Sequence, residues 1–420
     1  MSSGIFVDFI RIQQTHPVGY LADGTYRERL PVVEDGIVYK FQRDENGNWP
    51  QDEDGNPIPV YESVSRRFIT GSYDSLYVIR CDGSKVEFEG NVGRFCRPDN
   101  LFNLDFDGTV QKINEILATY GLPPFSAGDP YYKSNPSEHD NKHGLLVDWT
   151  GASVSEVHLT QNFATGSQAN AQASIDWLAT QSVSHVKRTR AHDTTVAWGR
   201  KAGRKYLKAY LKADEMLVHR HGRTKEQIEQ DPVYQYAQSH GILRFELEAK
   251  RLLLRDNHCR FLGEITMPKL IQLFNDEVQP LLGRVKEDIS RMELETLPPA
   301  VRMTASAYLR GENVSALLSR RTFYRHLKTL RDYGMDISEP LPNVKPFTTI
   351  IKVVEIKPIE SPPDWYWSHQ RRMSLKAVGD YDHAPDIPAA DAFSYFQDSA
   401  VITAFPAPPS QRSQPVYATD

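Results

Sequence analysis

Lys205-Tyr-Leu-Lys-Ala-Tyr-Leu-Lys-Ala-Asp-Glu215 is the stretch on which the interpretation of the whole sequence depends. From Tyr206 to Lys212, tyrosine and lysine alternate at the even positions, and leucine and alanine fill the odd positions. This period of two predicts a half-buried β-strand with one apolar face and one polar face. A helix would also place Tyr206 and Tyr210 on a common face. The strand is favoured because every polar residue up to Lys212 lies on one side.

A polar face that carries two phenols between lysines suits phosphodiester chemistry. A tyrosine can attack phosphorus, and nearby cations neutralise the phosphate. Taken alone, however, the stretch is more typical of an ordinary surface strand whose lysines extend into water. The rest of the chain must decide between these two interpretations.

Length, charge and cysteine content limit the class of protein. The chain has 420 residues, enough for two or three domains, and a net charge of −5. Residues 187–220 nevertheless contain ten basic and three acidic side chains, which predicts a local phosphate-binding patch. Cys81, Cys96 and Cys259 form no CxxC pair, so we expect reduced thiols. No window suits a signal peptide or a membrane span, and we therefore expect a cytoplasmic protein with no membrane partner.

The order of elements around the opening stretch predicts an α+β fold. The order is β-α-β-β-α-β, with strand patterns at 154–163, 194–198, 206–212 and 241–248 and helical patterns at 169–179 and 224–238. This is the split βαβ arrangement of ferredoxin-like and HUH-nuclease-like antiparallel sheets. If both helices cover one face of the sheet, the other face stays open. On that open face we place Glu156, His158, Tyr206, Lys208, Tyr210, Arg244, Glu246 and Glu248.

The regions on either side differ in composition from this central region. Residues 1–150 are predicted to be β-rich, and residues 151–262 to form the catalytic sheet. Residues 263–340 are predicted to form a helical connector and a helix-turn-helix-like DNA-binding region. Residues 341–420 are rich in proline, serine and alanine, which predicts a flexible tail.

A basic helix is predicted from Arg320 to a stop at Gly334. Ser319 can cap this helix, and Phe323, Leu327 and Leu330 can form its buried stripe. The side chains left free to contact DNA, as in a recognition helix, are Arg320, Arg321, Tyr324, Arg325 and Lys328. The alternative is a solvated amphipathic helix that has no role in DNA binding.

Four short motifs lie in the central region, at Ser155–Phe163, Thr195–Gly199, Ala209–Glu215 and Leu243–Glu248. Further motifs lie outside it, at Val7–Ile12, Gly90–Phe95, Leu318–His326 and Tyr333–Ile337. In order and spacing, this set resembles the gene II/gene X family of filamentous-phage replication initiators. The resemblance covers about residues 1–340 and points to a phage of Pseudomonas as the source.

The resemblance implies a rolling-circle initiator of DNA replication, which is an endonuclease and a strand transferase. Such proteins nick the plus strand of the double-stranded replicative form at the viral origin. A tyrosine becomes linked to the 5′ phosphate, the free 3′ hydroxyl primes synthesis, and the displaced single strand is later rejoined into a circle. The implied partners are origin DNA, a host helicase and a host DNA polymerase, in the cytoplasm of the bacterial host.

The resemblance also assigns roles to particular residues. The family's nucleophile falls on Tyr210, its acidic positions fall on Glu215 and Glu246, and its first-strand ligand falls on His158. Related initiators often carry Arg-hydrophobic-Asp at the position of His158, where this chain has a Glu-hydrophobic-His element that makes Glu156 a further candidate ligand. Glu215 departs from the strand alternation, so it needs a bulge or a helix start to reach the site.

The implied chemistry requires a divalent metal ion and an activated phenol. Mg²⁺ or Mn²⁺, held by oxygen and imidazole ligands, would polarise the scissile phosphate. Lys208 and Lys212 would lower the pKa of the Tyr210 phenol, which is about 10 in the free side chain. Tyr206 is additional to the one tyrosine that the family requires, and it is a candidate second nucleophile for rejoining. The residues expected to bind the DNA backbone are Arg200, Arg204, Lys205, Arg244, Arg320, Arg321, Arg325 and Lys328.

Two alternative functions stay open at the level of sequence. One is a non-catalytic DNA-binding regulator that uses residues 299–337 and the basic patch, which would bind DNA without forming a covalent adduct. The other is a plasmid initiator or mobilisation nickase with the same chemistry. Only the DNA sequence that is cut would distinguish the second alternative from a phage initiator.

Overall fold

The fold is organised around one antiparallel sheet of ten strands. The computed structural model describes residues 4–20, 25–33, 37–40, 51, 61–64, 67–70, 76–95, 97–181, 188–220, 223–286, 296–333, 335–341 and 356–378. The strands are β1 (Ile5–Thr15), β2 (Gly19–Tyr20), β3 (Tyr26–Arg27), β4 (Ile37–Lys40), β5 (Tyr61–Val64), β6 (Arg67–Thr70), β7 (Leu76–Cys81), β8 (Lys85–Gly90), β9 (Pro130–Tyr132), β10 (Val147–Trp149), β11 (Ser153–Ala164), β12 (Arg188–His192), β13 (Thr195–Gly199), β14 (Lys205–Leu211), β15 (Ile242–Lys250) and β16 (Lys357–Pro358). The sheet order is β12-β13-β14-β15-β11-β1-β8-β7-β6, and β16 pairs with the end of β11.

Helices cover the sheet and extend beyond it. They are α1 (Phe106–Thr119), α2 (Glu138–His143), α3 (Gln168–Leu178), α4 (Lys212–Val218), α5 (Lys225–Glu229), α6 (Pro232–Ser239), α7 (Arg251–Asp256), α8 (Met267–Lys286), α9 (Pro299–Leu309), α10 (Val314–Leu317), α11 (Arg320–Asp332) and α12 (Trp365–Val378). Within the described ranges, no helix has the length and apolar character needed to cross a lipid bilayer.

The alternating stretch forms β14 and the first turn of α4, so the prediction of a strand is confirmed. Leu207, Ala209 and Leu211 point into the main hydrophobic core, as the alternation requires. The strand ends at Leu211, one residue earlier than the sequence pattern suggested. Lys212 is therefore the first residue of a helix and not the last polar residue of a strand.

The strand β1 lies at the centre of the sheet, between β11 and β8. A shift in register between Val7 and Phe9 leaves Asp8 as an extra residue on this strand. Because of this bulge, Ile5 and Val7 on one side of it and Ile10 and Ile12 on the other all reach the same core. The sheet therefore continues across residue 150, where the sequence analysis placed a domain boundary.

The order of strands in space differs from the predicted split βαβ arrangement. In such a unit, one strand lies between the two strands that a helix joins. Here α3 joins β11 to β13, and two strands, β14 and β15, lie between them because β15 pairs with both β14 and β11. The α+β class and the antiparallel sheet are confirmed, whereas the ferredoxin-like strand order is wrong.

The apolar face of the sheet is covered by α1, α3 and α8, which share one hydrophobic cluster with it. Only the first of the two helices predicted for this face, α3, packs there. The residues of the second, now α5 and α6, pack instead with α4 and α12 in a separate cluster. The expectation that both helices cover one face is therefore wrong for the second helix.

The C-terminal segment 356–378 is folded, in contrast to the predicted flexible tail. It contributes β16 to the sheet and then forms α12, whose Tyr366 and Gln370 side chains are fully buried. The predicted aromatic docking patch thus packs partly against the protein itself, since Tyr366 belongs to the second cluster. Residues 379–420 lie outside the described residues, as does the predicted helix stop at Gly334.

The helices α9, α10 and α11 form a small unit with its own apolar cluster. The backbone N–H of Thr322 donates to Ser319 Oγ at 3.3 Å, which confirms Ser319 as the cap of α11. Phe323, Leu327 and Leu330 are buried, as the predicted stripe requires. The side chains on the opposite, exposed surface of α11 are Arg320, Arg321, Tyr324, Arg325 and Lys328.

Candidate active site

Three neighbouring strands place the polar side chains of the site in matched rows. The rows across β14 and β15 are Tyr206–Glu248, Lys208–Glu246 and Tyr210–Arg244. On β11, His158 pairs with Glu248 and Glu156 pairs with Lys250. Directly opposed residues have Cβ atoms about 4.5–5.5 Å apart, so these rows form one continuous patch.

His158 lies among three carboxylates. Its Nε2 atom is 2.8 Å from Glu156 Oε1 and 3.9 Å from Glu248 Oε2. Its Nδ1 atom is 3.3 Å from Glu246 Oε1. Burial alone would lower the pKa of His158, but hydrogen bonds with Glu156 and Glu246 and the charges of Glu246 and Glu248 outweigh burial and raise it.

Two ammonium groups balance these carboxylates in the free protein. Lys208 Nζ is 2.7 Å from Glu246 Oε1 and 3.2 Å from Glu248 Oε1. Lys250 Nζ is 3.2 Å from Glu248 Oε2 and also pairs with Glu156. Burial would raise the pKa of each carboxyl, but hydrogen bonds and charges from neighbouring cationic groups lower the pKa of Glu156 to about 2 and that of Glu246 well below its usual range.

The Tyr210 hydroxyl contacts the carboxylate of Glu246, with 3.4 Å between Oη and Oε2. The packing around the phenol raises its pKa well above the usual value of about 10. Arg244 opposes this shift, and the negative charges of Glu246, Glu215 and Asp8 add to it. The free protein therefore holds Tyr210 as a neutral phenol at physiological pH.

The two lysines expected to activate Tyr210 are engaged with other groups. Lys208 binds the carboxylates of Glu246 and Glu248. Lys212 is buried, and its ammonium group donates to Asn100 Oδ1 at 2.7 Å and to Glu215 Oε2 at 2.5 Å. The strongest influence that lowers the phenol pKa is Arg244, which the sequence analysis did not associate with the tyrosine.

Glu215 approaches the site because α4 begins at Lys212, which is one of the two arrangements that the sequence required. Burial would raise the pKa of Glu215, but the charge and hydrogen bond of Lys212 and the charge of Arg244 lower it. Its charge acts on Tyr210. Glu215 therefore lies on the tyrosine side of the patch and does not join the carboxylates around His158.

Arg244 was predicted to bind DNA, but it is fully buried. Its guanidinium donates to Asn162 Oδ1 at 2.8 Å and to Asp8 Oδ2 at 3.2 Å. It also donates to the backbone carbonyls of Asn100 at 2.8 Å and Leu101 at 2.6 Å. The prediction of a direct contact with DNA is therefore wrong, because all of these partners lie inside the protein.

Tyr206 lies on the same face as Tyr210 but in a different environment. It is 6% exposed, in the row of Glu248 and His158. Its ring centroid is 6.0 Å from Lys208 Nζ. Tyr206 is therefore beside the acidic end of the patch, whereas Tyr210 is at the Arg244 end.

The other predicted DNA contacts lie on the surface near the start of β14. Arg200 is exposed. Arg204 is half exposed and pairs with Asp256 at 2.7 Å, and Lys205 pairs with Glu277. Arg200 is thus the most available of the three for a phosphate, while the other two already have carboxylate partners.

The side chains around His158 fit a divalent cation. Glu156, His158 and Glu248 each offer a ligand atom, and these atoms lie within 4.8 Å of one another. Carboxylate oxygens with one imidazole are ligands that Mg²⁺ and Mn²⁺ accept. Glu248 was placed on the open face from sequence but was not chosen as a ligand, although the alternation on β15 gave it the same standing as Glu246.

Three further contributors to the site were missed from sequence. Asp8 reaches Arg244 through the bulge in β1, and a bulge leaves no clear mark in a run of apolar residues. Asn100 comes from a loop, and no local pattern connects it with Lys212. Tyr366 supports that loop from the C-terminal helix, which the composition had suggested was unstructured.

An antiparallel sheet that presents a tyrosine beside a histidine–carboxylate cluster defines a protein equipped for phosphodiester chemistry. Comparison with known proteins gives the family. Residues 47–268 match the N-terminal family of the replication-associated gene II protein, and residues 294–371 match the corresponding C-terminal family. The replication-associated gene II protein of Enterobacteria phage I2-2 is 28% identical over 320 residues, which cover 73% of this chain and 87% of that protein.

The chain therefore belongs to the gene II protein family of filamentous-phage replication initiators. This confirms the resemblance found in the sequence motifs. The relative from Enterobacteria phage I2-2 does not identify the host of the present phage. A Pseudomonas phage as the source stays a prediction.

Proposed function

We propose that this protein initiates rolling-circle replication by nicking one strand of the origin with Tyr210 and later rejoining the displaced strand. The observation that carries the proposal is the position of the Tyr210 hydroxyl, 3.4 Å from Glu246 and beside the cluster around His158. A nucleophile, a proton acceptor and candidate metal ligands thus share one face of the sheet.

The nicking step exchanges one phosphate ester for another. The Tyr210 oxygen forms a bond to phosphorus, and the bond from phosphorus to the 3′ oxygen breaks. The phenol proton passes to Glu246, the carboxylate nearest the hydroxyl, and a proton from the surroundings completes the 3′ hydroxyl. Because the pKa of the phenol is raised in the free protein, this transfer depends on the environment that bound DNA creates.

Glu156, His158 and Glu248 would hold a divalent metal ion, with Glu246 as a further neighbour. When bound, Mg²⁺ or Mn²⁺ would supply a positive charge that stabilises the phosphate and the leaving oxygen. Lys208 and Lys250 neutralise the same carboxylates in the free protein and keep them ionised. The site is thus preorganised for a cation before one binds.

Rejoining is the reverse exchange. A 3′ hydroxyl attacks the phosphotyrosine, the bond from Tyr210 to phosphorus breaks, and the phenol recovers its proton. No nucleotide cofactor is needed, because the phosphotyrosine ester keeps the energy of the original bond. Tyr206 would provide a second acceptor on the same strand if a new cleavage occurs while Tyr210 is still occupied.

DNA would be bound by the exposed surface of α11 and by Arg200, while a host helicase and a host polymerase extend the nicked strand in the bacterial cytoplasm. The α9–α11 unit presents a row of exposed basic side chains, of the kind that a recognition helix uses. We propose the same role for this unit. Lys205 and Arg204 would contribute by releasing their carboxylate partners.

The test is a nicking assay on supercoiled replicative-form DNA with Mg²⁺ or Mn²⁺, read on a denaturing gel. Wild-type protein should give relaxed circles and a covalent protein–DNA adduct. Tyr210→Phe should still bind DNA but give neither product, whereas the exposed Tyr324→Phe should nick normally. Nicking by Tyr210→Phe at the wild-type rate would remove Tyr210 as the nucleophile.

The role of Tyr206 is tested in the same assay. Tyr206→Phe should nick normally and fail to release closed circles if two tyrosines act in turn. Normal circle formation by Tyr206→Phe would limit the chemistry to Tyr210. Specific DNA binding by the wild-type protein without any adduct would instead support a non-catalytic regulator.

A further inference from the structure

The motif Gly90–Phe95 builds a rigid turn whose role the nicking chemistry leaves unexplained. The 3₁₀ turn Val92–Arg94 is capped by Asn91, which accepts the backbone N–H of Arg94 at 3.0 Å. Gly93 is required here, because a Cβ at this position would lie 1.6 Å from Asn103 Oδ1. Asn103 in turn donates to Asn91 at 2.8 Å. These contacts fix the backbone from which the Arg94 side chain extends.

The Arg94 guanidinium has donors that nothing in the described part of the protein uses. Its Nε and Nη2 atoms are buried and have no hydrogen-bond partner among the residues that the structure describes. The other arginines with a buried unpaired nitrogen in the described ranges have only one each, namely Arg80, Arg97, Arg188, Arg223 and Arg260. Buried donors without partners are rare in proteins, and they call for a reason.

Arg94 shares its surroundings with the tyrosine. The negative charges of Glu215, Asp99 and Asp8 act on Arg94, and those of Glu215 and Asp8 act also on Tyr210. Burial is nevertheless the largest influence on the guanidinium, and the pKa of Arg94 is lowered as a result. The nearby carboxylates therefore do not fully compensate the buried charge.

The other cations at this end of the site have no spare capacity of this kind. Arg244 donates to two side chains and two backbone carbonyls. Lys212 is bonded to Asn100 and Glu215. Among the described residues, Arg94 is thus the cation at the tyrosine end of the site whose hydrogen-bonding groups are least used.

We propose that Arg94 binds a backbone phosphate of the DNA strand that Tyr210 attacks, an inference that rests on the proposed nicking function. A guanidinium offers two parallel N–H groups to two non-bridging oxygens, which suits a phosphodiester better than a lysine would. The residue as a whole is partly exposed, so a rotation of the side chain brings Nε and Nη2 to the surface. The phosphate would then supply the missing partners and compensate the charge.

The experiment compares oligonucleotides that span the mapped nick site and carry one neutral methylphosphonate in place of one phosphate. With wild-type protein, the substitution should slow adduct formation at least about tenfold at one position beside the scissile bond. Arg94→Met should react slowly with normal DNA and should be insensitive to the substitution at that position. Arg94→Lys should keep part of the sensitivity, because it keeps the charge.

The matched control is Arg80→Met, which removes another arginine with a buried unpaired nitrogen, from β7. This variant should show the wild-type pattern of sensitivity. If Arg94→Met slows the reaction but stays as sensitive as wild-type protein at every position, Arg94 has only a structural role and the inference fails.

The same oligonucleotides separate this inference from the nicking function itself. If wild-type protein forms no adduct, the nicking function fails, and equilibrium binding is then compared between wild-type protein and Arg94→Met. Loss of sensitivity to one methylphosphonate in the binding of Arg94→Met would still support a phosphate contact. Equal sensitivity of the two proteins would overturn it. Circular dichroism checks the fold, and Arg94→Lys carries the comparison if Arg94→Met does not fold.

Discussion

Tyr366 in α12 donates a hydrogen bond to Asp99 Oδ1 at 2.7 Å, although 267 positions separate the two residues in the sequence. The Tyr366 hydroxyl also accepts a bond from Arg97 at 2.8 Å and from the backbone N–H of Phe102 at 3.1 Å. The loop fixed in this way supplies the carbonyls that bind Arg244. The C-terminal helix therefore supports the residue that contacts the catalytic tyrosine.

Removal of the Tyr366 hydroxyl should destabilise the protein. Tyr366→Phe leaves buried partners at Asp99 and Arg97 without a bond, which costs about 1–3 kcal/mol in the free energy of unfolding. Urea unfolding followed by circular dichroism measures the change. Tyr324→Phe, on the exposed face of α11, should stay within about 0.5 kcal/mol of wild-type protein. An unchanged unfolding midpoint for Tyr366→Phe would show that α12 does not support the loop.

The histidine–carboxylate cluster should bind Mn²⁺ in the absence of DNA. Glu248→Gln removes one of the three candidate ligands and should weaken binding at least about tenfold in isothermal titration calorimetry. Glu229→Gln, an exposed change on α5, should bind as wild-type protein does. Treatment with EDTA should abolish nicking, and addition of Mn²⁺ should restore it. Equal Mn²⁺ affinity in Glu248→Gln and wild-type protein would place the metal elsewhere.

Strand alternation was enough to predict the central part of the site. It placed Tyr210, His158 and Glu246 on one face, because in a strand the face follows directly from the parity of the position. The same rule could not predict Asp8, since a bulge changes the parity without a signal in the sequence. The burial of Arg244 was also hidden, because its partners come from three other segments of the chain. Contacts between distant segments depend on the order of strands in space, which the local patterns did not determine.

Asp256 should make stability depend on pH in the acidic range. Burial would raise the pKa of this carboxyl, but hydrogen bonds from His139 and Arg255 and the charge of Arg204 lower it to about 2. Because the folded pKa lies below the unfolded value of about 3.9, the stabilisation is fully present above that value and is lost as the pH falls through about 2.

The variant Asp256→Asn should therefore be less stable than wild-type protein at pH 7, by about 1 kcal/mol after allowance for solvent screening. The difference should shrink between about pH 4 and pH 2, because wild-type protein then loses the same charge. Unfolding by urea at a series of pH values measures this. A difference that is constant from pH 7 to pH 2 would exclude the charge of Asp256 as its cause.

The exposed basic side chains of α11 should contribute to DNA affinity by binding phosphates. Arg321→Ala and Arg325→Ala each remove a charge from a helix whose opposite side is packed against α9, so the fold should be retained. Each substitution should lower the slope of log Kd against log salt concentration by about 1, because fewer counterions are released when DNA binds. Fluorescence anisotropy with labelled DNA at several salt concentrations gives the slope. Lys225→Ala, on the exposed surface of α5, is the control and should keep the wild-type slope. Wild-type slopes in both arginine variants would show that α11 does not face the DNA, and the recognition role would then have to be sought on the surface around Arg200.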